Sequence, residues 1–308
     1  MTGVTTTKAA TIENSTVCES DISQEIYDLF DDYVHSRIDR RSFLSGVSKY
    51  AATGLSATAI LAFLSPRYAE ATQVADDDPG LKSEFIKYNS PNGYGEIRAL
   101  LSRPIANKSK LPGIIVVHEN RGLNPHIEDV TRRAALEGYL AIGPDALSSL
   151  GGYPGTDDEG REMQKTLDRD KILLDFIAAF NYLKSHPECN GKIGVVGFCF
   201  GGWISNMMAA RVPELAAAVP FYGGQAPLEE VPAINAPLLL QFAENDGWVN
   251  KGWPDYEAEL KKQKKTYTAY TYPGTQHGFH NDTTPRFSKD AASLAWKRSI
   301  AFFDKHLK

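Results

Sequence analysis

The chain has 308 residues, of which 42% are hydrophobic and 23% charged, the balance of an ordinary soluble globular protein. A formal net charge of −5 with no basic stripe argues against a nucleic-acid partner. Cys18, Cys189 and Cys199 are too few for a disulfide framework and fit no zinc-type spacing, so no cofactor and no metal are expected.

Residues 1–22 are rich in Thr and Ser and read as disordered. Over 23–36, Ile26, Leu29, Phe30 and Tyr33 recur at helical spacing and predict an amphipathic helix. Asp39-Arg40-Arg41-Ser42-Phe43-Leu44-Ser45 follows, then a weakly apolar tract from Tyr50 to Pro66, then Ala69-Glu70-Ala71. Together these look like a twin-arginine export signal cleaved after Ala71, which implies an exported or periplasmic protein. The tract is too short and too polar for a stable membrane span. Against export, 39 residues precede Arg40 and include an acidic helix, where a signal would begin short and basic. The alternative is a cytoplasmic protein whose extension, residues 1–71, packs on the domain or on a neighbouring subunit of a homo-oligomer.

Asp76 to Gly80 reads as a linker into a domain covering 72–308. Phe85 to Tyr88, a turn at Ser90-Pro91-Asn92-Gly93, and Gly95 to Leu101 predict a hairpin. Gly113 to Val117 is a central strand ending at His118-Glu119-Asn120-Arg121-Gly122; Asp129 to Glu137 is a helix and Tyr139 to Gly143 a strand. A loop rich in glycine and acid spans Ser148 to Gly160, and a long helix covers roughly Lys171 to Leu183. Ile193 to Val196 is a buried strand, and Trp203 to Arg211 is helical in composition. Ala216 to Tyr222, Pro237 to Ala243 and Lys265 to Tyr272 are further strands, and Ala291 to Phe303 is the closing helix. Strands alternating with helices predict an α/β fold, a mostly parallel, doubly wound sheet flanked by helices.

Chemistry concentrates at Gly197-Phe198-Cys199-Phe200-Gly201, between a strand and a helix. This is the setting of a nucleophile elbow, with Cys in place of the commoner Ser. Strand and helix cross so closely there that flanking side chains would clash, hence the glycines. Cys199 at a helix N-terminus has its thiolate favoured by unpaired N–H groups and the helix dipole. The plainer reading is a buried structural cysteine, so the partners decide. Asp246 follows the strand ending at Ala243, and His277 follows the last strand. Nucleophile, acid, then histidine, each at a strand's C-terminal end, is the order of an α/β-hydrolase triad. His277 and His280 with His118 and Glu119 could be drawn as metal ligands, but the triad already explains those positions.

Gly197-Phe198-Cys199-Phe200-Gly201-Gly202, His118-Glu119-Asn120-Arg121-Gly122 and His277-Gly278-Phe279 resemble the dienelactone hydrolase family (carboxymethylenebutenolidase-like), over roughly residues 85–308. The resemblance implies an α/β-hydrolase fold and hydrolysis of a small-molecule lactone or ester. It implies Cys199 as nucleophile, His277 as general base then acid, Asp246 orienting His277, and Glu119 helping to activate the thiol. It also implies an oxyanion hole made by the backbone N–H groups of Asn120 and Phe200. Members acting on dienelactone grip its carboxylate with an arginine shortly after the catalytic histidine. Here that position is expected to be His280, with Arg121 and Arg161 as possible substitutes in substrate binding. A competing reading is a thiol-redox or regulatory protein on the same scaffold, and a third is an inactive scaffold. Cys189 precedes the elbow strand and is poorly placed as a resolving thiol, and the intact Cys, His and Asp positions argue against inactivity.

Overall fold

Apolar spacing and caps explain the first helices in the computed structural model, which describes residues 17–50, 56–106 and 109–308. The chain divides between Ser65 and Pro66 into a helical unit and an α/β unit. In the first, α1 (Gln24–Val34) turns Ile26, Phe30, Tyr33 and Val34 inward. Asp39 caps α2 (Arg40–Ser48) by accepting from the Ser42 N–H at 2.7 Å. Arg40 and Arg41 are exposed in its first turn, while Phe43 lies against Phe30 and Tyr33 at 6.0 and 5.3 Å between ring centres. α3 (Ala57–Leu64), capped by Ser56, adds Ile60, Leu61 and Leu64 to this core. The segment read as a signal thus contains capped helices around their own core. Disorder read for residues 1–16, and the part of the apolar tract at 51–55, lie outside the described residues. Glu19–Asp21 form a short 3-10 turn. Among the described residues no helix is long and apolar enough to cross a membrane.

The α/β unit begins six residues before the boundary expected from sequence. Arg67 donates its N–H to the Thr283 carbonyl at 2.7 Å, and α4 (Tyr68–Ala71) hydrogen-bonds Asp157 through Tyr68. Then come β1 (Leu81–Ser90), β2 (Gly95–Pro104), β3 (Leu111–Val117), α5 (Pro125–Leu136), β4 (Leu140–Pro144), α6 (Asp157–Lys165), α7 (Arg169–Ser185), β5 (Cys189–Phe198) and α8 (Phe200–Arg211). The chain closes with β6 (Ala217–Phe221), β7 (Leu238–Asn245), α9 (Gly247–Asn250), α10 (Trp253–Lys262), β8 (Tyr267–Gln276) and α11 (Lys289–Leu307). The eight strands form one sheet in the order β1-β2-β4-β3-β5-β6-β7-β8. β1 and β2 are the expected antiparallel hairpin and β2 meets β4 antiparallel; from β4 onward every pairing is parallel.

Central strands read as unbroken apolar runs because both faces are covered. Ile115 and Val117 of β3 face one side, with Phe176 of α7 and Ile204 of α8. Ile114 and Val116 face the other, with Val130 of α5 and Phe303 of α11. α5 starts four residues earlier than expected, because Asn124 caps it and Pro125 suits the first turn. α6 lies partly in the segment expected to be a loop: Thr156 caps it, and Asp157, Asp158 and Glu159 complement its dipole.

Candidate active site

β5 ends at Phe198 and α8 begins at Phe200, leaving Cys199 between them at φ 57°, ψ −111°. Backbone crowding requires the neighbouring glycines. A Cβ on Gly197 would lie 2.0 Å from the Gly201 carbonyl oxygen, and one on Gly201 would lie 2.4 Å from that of Val117. The same closeness brings the start of α8 against the end of β3, where Asn120 lies. Phe200 is the first residue of α8, so its N–H has no acceptor within the helix.

β7 delivers Asp246, whose Oδ1 caps α9 by accepting from the Val249 N–H at 3.1 Å. Oδ2 of Asp246 is 2.6 Å from Nδ1 of His277, which follows the end of β8. One ring nitrogen of His277 lies within 4.8 Å of Cys199 Sγ, and all three side chains are buried. The structure thus brings together Cys199, His277 and Asp246, which lie far apart in the sequence.

Glu119 is buried beside Arg121: Oε2 is 3.0 Å from Nη2 of Arg121 and accepts from Nδ2 of Asn281 at 3.1 Å. Burial is the largest influence on Glu119 and opposes its ionisation, but Arg121, His126 and Arg286 together outweigh it and hold the carboxyl below the usual carboxylate range. The other terminal nitrogen of Arg121 donates to Oδ2 of Asp157 at 2.7 Å, and Asp157 also accepts from Tyr68 and Tyr153. Burial opposes ionisation of Asp157 as well, and Arg121 together with the Tyr68 and Tyr153 hydroxyls holds it below its ordinary value. His118 donates from Nδ1 to the Glu119 carbonyl at 2.5 Å and accepts from the Ala146 N–H at Nε2, which fixes the strand end.

Three expected substrate-binding residues need correction. Arg121 already gives both ends of its fork to Glu119 and Asp157. Arg161, on α6, donates to its own neighbour Asp158 at 2.9 Å. His280 stacks on Phe198 at 4.9 Å and 24°, packs on Phe221 and Trp296, and borders a cavity of about 670 Å³ that the triad residues do not line. Burial, helped by the charge of Arg133, pushes its imidazole well below its ordinary value, so it is neutral and unsuited to hold a carboxylate. Sequence periodicity could not reveal this, because the loop after β8 has no fixed side-chain alternation.

Two arginines escaped the sequence reading. Arg169 opens α7, and its guanidinium lies over the Trp203 ring at 4.1 Å and the Phe200 ring at 5.7 Å, within electrostatic reach of Cys199. Arg286 is buried, packs against Gly278, and its charge acts on Glu119. Neither sits in a motif, and Asp168, which caps α7 just before Arg169, is the nearest local signal.

Residues 97–307 match the sequence model of the dienelactone hydrolase family, and residues 17–51 match one described as YqhI-like. An Escherichia coli protein described as a hydrolase fragment, YghX, is 55% identical over 114 residues, 37% of this chain and 97% of its own. An assigned carboxymethylenebutenolidase of Synechocystis is 31% identical over 71% of this chain and 95% of its own. An assigned 2-oxo-3-(5-oxofuran-2-ylidene)propanoate lactonase of Bradyrhizobium is 30% identical over 69% and 91%. A crystal structure of an assigned dienelactone hydrolase from Klebsiella pneumoniae superposes with a TM-score of 0.65 at 26% identity, covering 73% of this chain and 99% of that one. With residues 97–307 matched, the chain belongs to the dienelactone hydrolase family and has its α/β-hydrolase fold.

Proposed function

We propose that the protein hydrolyses a lactone or small carboxylic ester through an acyl-thioester on Cys199. The observation that carries this reading is a strained, buried Cys199 with a His277 nitrogen within 4.8 Å, while Asp246 holds His277 Nδ1 at 2.6 Å. His277 takes the thiol proton and the sulfur attacks the carbonyl carbon, with Asp246 fixing the tautomer and stabilising the imidazolium. Backbone N–H groups of Asn120 and Phe200 stabilise the oxyanion, each contributing roughly 2.7–4 kcal/mol by analogy with removed oxyanion donors. The ester C–O bond then breaks, and its oxygen takes the proton from His277. Water, deprotonated by His277, attacks the thioester, and the carboxylic acid leaves as sulfur regains its proton.

Substrate class follows from the relatives named for lactones and from Arg169. Its guanidinium, stacked on Trp203 near the nucleophile, suits a substrate that carries a carboxylate away from the scissile bond. The thiol-redox reading gains no support within this unit. Cys189 opens β5 and Cys199 follows its end, so roughly 30 Å of strand separates them. Cys199→Ala should abolish turnover across a panel of lactones and short esters while the fold persists. Undiminished hydrolysis in that variant would defeat the mechanism.

A further inference from the structure

Tyr222, the residue after β6, combines three features that packing does not explain. Its backbone lies at φ 35°, in the left-handed region that a bulky residue enters only at a steric cost. Its side chain is buried, and the hydroxyl has no hydrogen-bond partner among the described residues. Its ring lies against that of His277, 5.0 Å between centres.

Strand register explains how it arrives there. Phe198 of β5 pairs with Phe221 of β6, so Cys199 and Tyr222 are the next residues at adjoining strand tips. The Cys199 N–H donates to the Phe221 carbonyl at 3.1 Å, and the Tyr222 N–H donates to that of Gln241 at 2.8 Å. Beyond it, Gly223 is pressed so closely on Gly202 that a Cβ would lie 2.4 Å away. The strained conformation is therefore fixed by the backbone on both sides. Phenylalanine would keep every ring contact with Phe198, Phe221 and Phe279 and remove the unpaired oxygen. A buried hydroxyl that packing does not need and that weakens the fold calls for another role.

We infer that the Tyr222 hydroxyl, unpartnered at rest among the described residues, donates a hydrogen bond to the Cys199 thiolate once the thiol proton has passed to His277, making it a further catalytic group of the hydrolase. The inference rests on Cys199 being the nucleophile. No proton leaves the phenol: the thiol proton resides on His277, and Tyr222 supplies a neutral donor that favours the charged sulfur. Burial, with the nearby negative charges of Glu119 and Cys199, raises the phenol well above its ordinary value, so it remains a donor at any working pH.

The test uses the full chain and compares wild type, Tyr222→Phe and Cys199→Ala. Iodoacetamide alkylation of Cys199 is followed against pH by peptide mass spectrometry, which separates it from Cys18 and Cys189. With Tyr222→Phe, the melting temperature should be equal or higher. The alkylation profile should move up by about one pH unit, and kcat/KM at pH 7 should fall about tenfold, a deficit that closes above the new thiol pKa. An unchanged alkylation profile, a deficit equal at every pH, or a lowered melting temperature would each overturn the inference. Turnover surviving in Cys199→Ala would instead overturn the hydrolase reading itself. An inactive Cys199→Ala beside a Tyr222→Phe enzyme indistinguishable from wild type would remove only the role of Tyr222.

Discussion

Replacing Arg121 with methionine keeps most of the side-chain volume and removes the charge shared by Glu119 and Asp157. Afterwards Glu119 keeps Asn281 at 3.1 Å, and Asp157 keeps Tyr68 and Tyr153. Removing one partner of a buried ion pair costs about 3–5 kcal/mol, and these surviving donors favour the lower end. With a urea dependence of about 3 kcal/mol per molar, the unfolding midpoint should drop by about 1 M. The cost should also depend on pH. In the wild type, Arg121, with His126 and Arg286, holds the Glu119 carboxyl below its ordinary value, so its contribution is complete above the unfolded value of about 4.3 and is lost as pH falls through the folded one. Without Arg121, only His126 and Arg286 still offset burial, the largest influence, and the carboxyl should rise above its ordinary value. Stability of Arg121→Met should then decline as pH climbs from about 4.3, by up to about 1.4 kcal/mol per unit. Urea titrations at pH 5 and pH 8, read by tryptophan fluorescence, should show a midpoint gap that widens at the higher pH. A gap of equal size at both, or none, would refute the electrostatic account.

Arg169→Ala should raise KM for a carboxylate-bearing lactone about tenfold or more and leave a neutral ester of similar size nearly unaffected; paired kinetics on the two substrates would check it. His280→Phe should leave the kcat/KM ratio for those substrates unchanged. Because burial depresses His280, the unfolded chain takes up its proton first. Wild-type stability therefore falls as pH drops below about 6.5, and His280→Phe should flatten that fall in thermal melts between pH 5 and 7. For the twin-arginine proposal, protein from its native compartment should begin at Thr72 by mass spectrometry. Cleavage there would remove Tyr68 from Asp157, so the full-length and trimmed forms should differ in the melting temperature of the α/β unit.

Much of this architecture could be read because backbone constraints are local. The glycines around Cys199, the hairpin turn after Ser90 and the buried runs of β3, β5 and β7 each carry a steric or periodic signal. Asp246 and His277 were found because both follow strands. What escaped depends on tertiary placement. α6 starts in an acidic, glycine-bearing stretch whose cap at Thr156 is visible only once the helix is known. Arg286 and His280 sit in the segment between β8 and α11, where facing is decided by what packs over them. The partners of Arg121 lie on either side of it in sequence, Asp157 on α6 and Glu119 two residues back, and nothing in the sequence chooses between solvent and those carboxylates.

β8 occupies the margin of the sheet and pairs with β7 alone, yet it carries His277 at its end. Strand margins open by local fluctuation at lower free energy than the centre, where β5 is held between β3 and β6. Fraying of β8 would carry the imidazole away from the sulfur while the elbow and both hydrophobic layers remain assembled. Heating should therefore silence turnover before the fold melts, and amide hydrogens of β8 should exchange faster than those of β5. In this arrangement the nucleophile rests on the most durable strand and its base on one of the least.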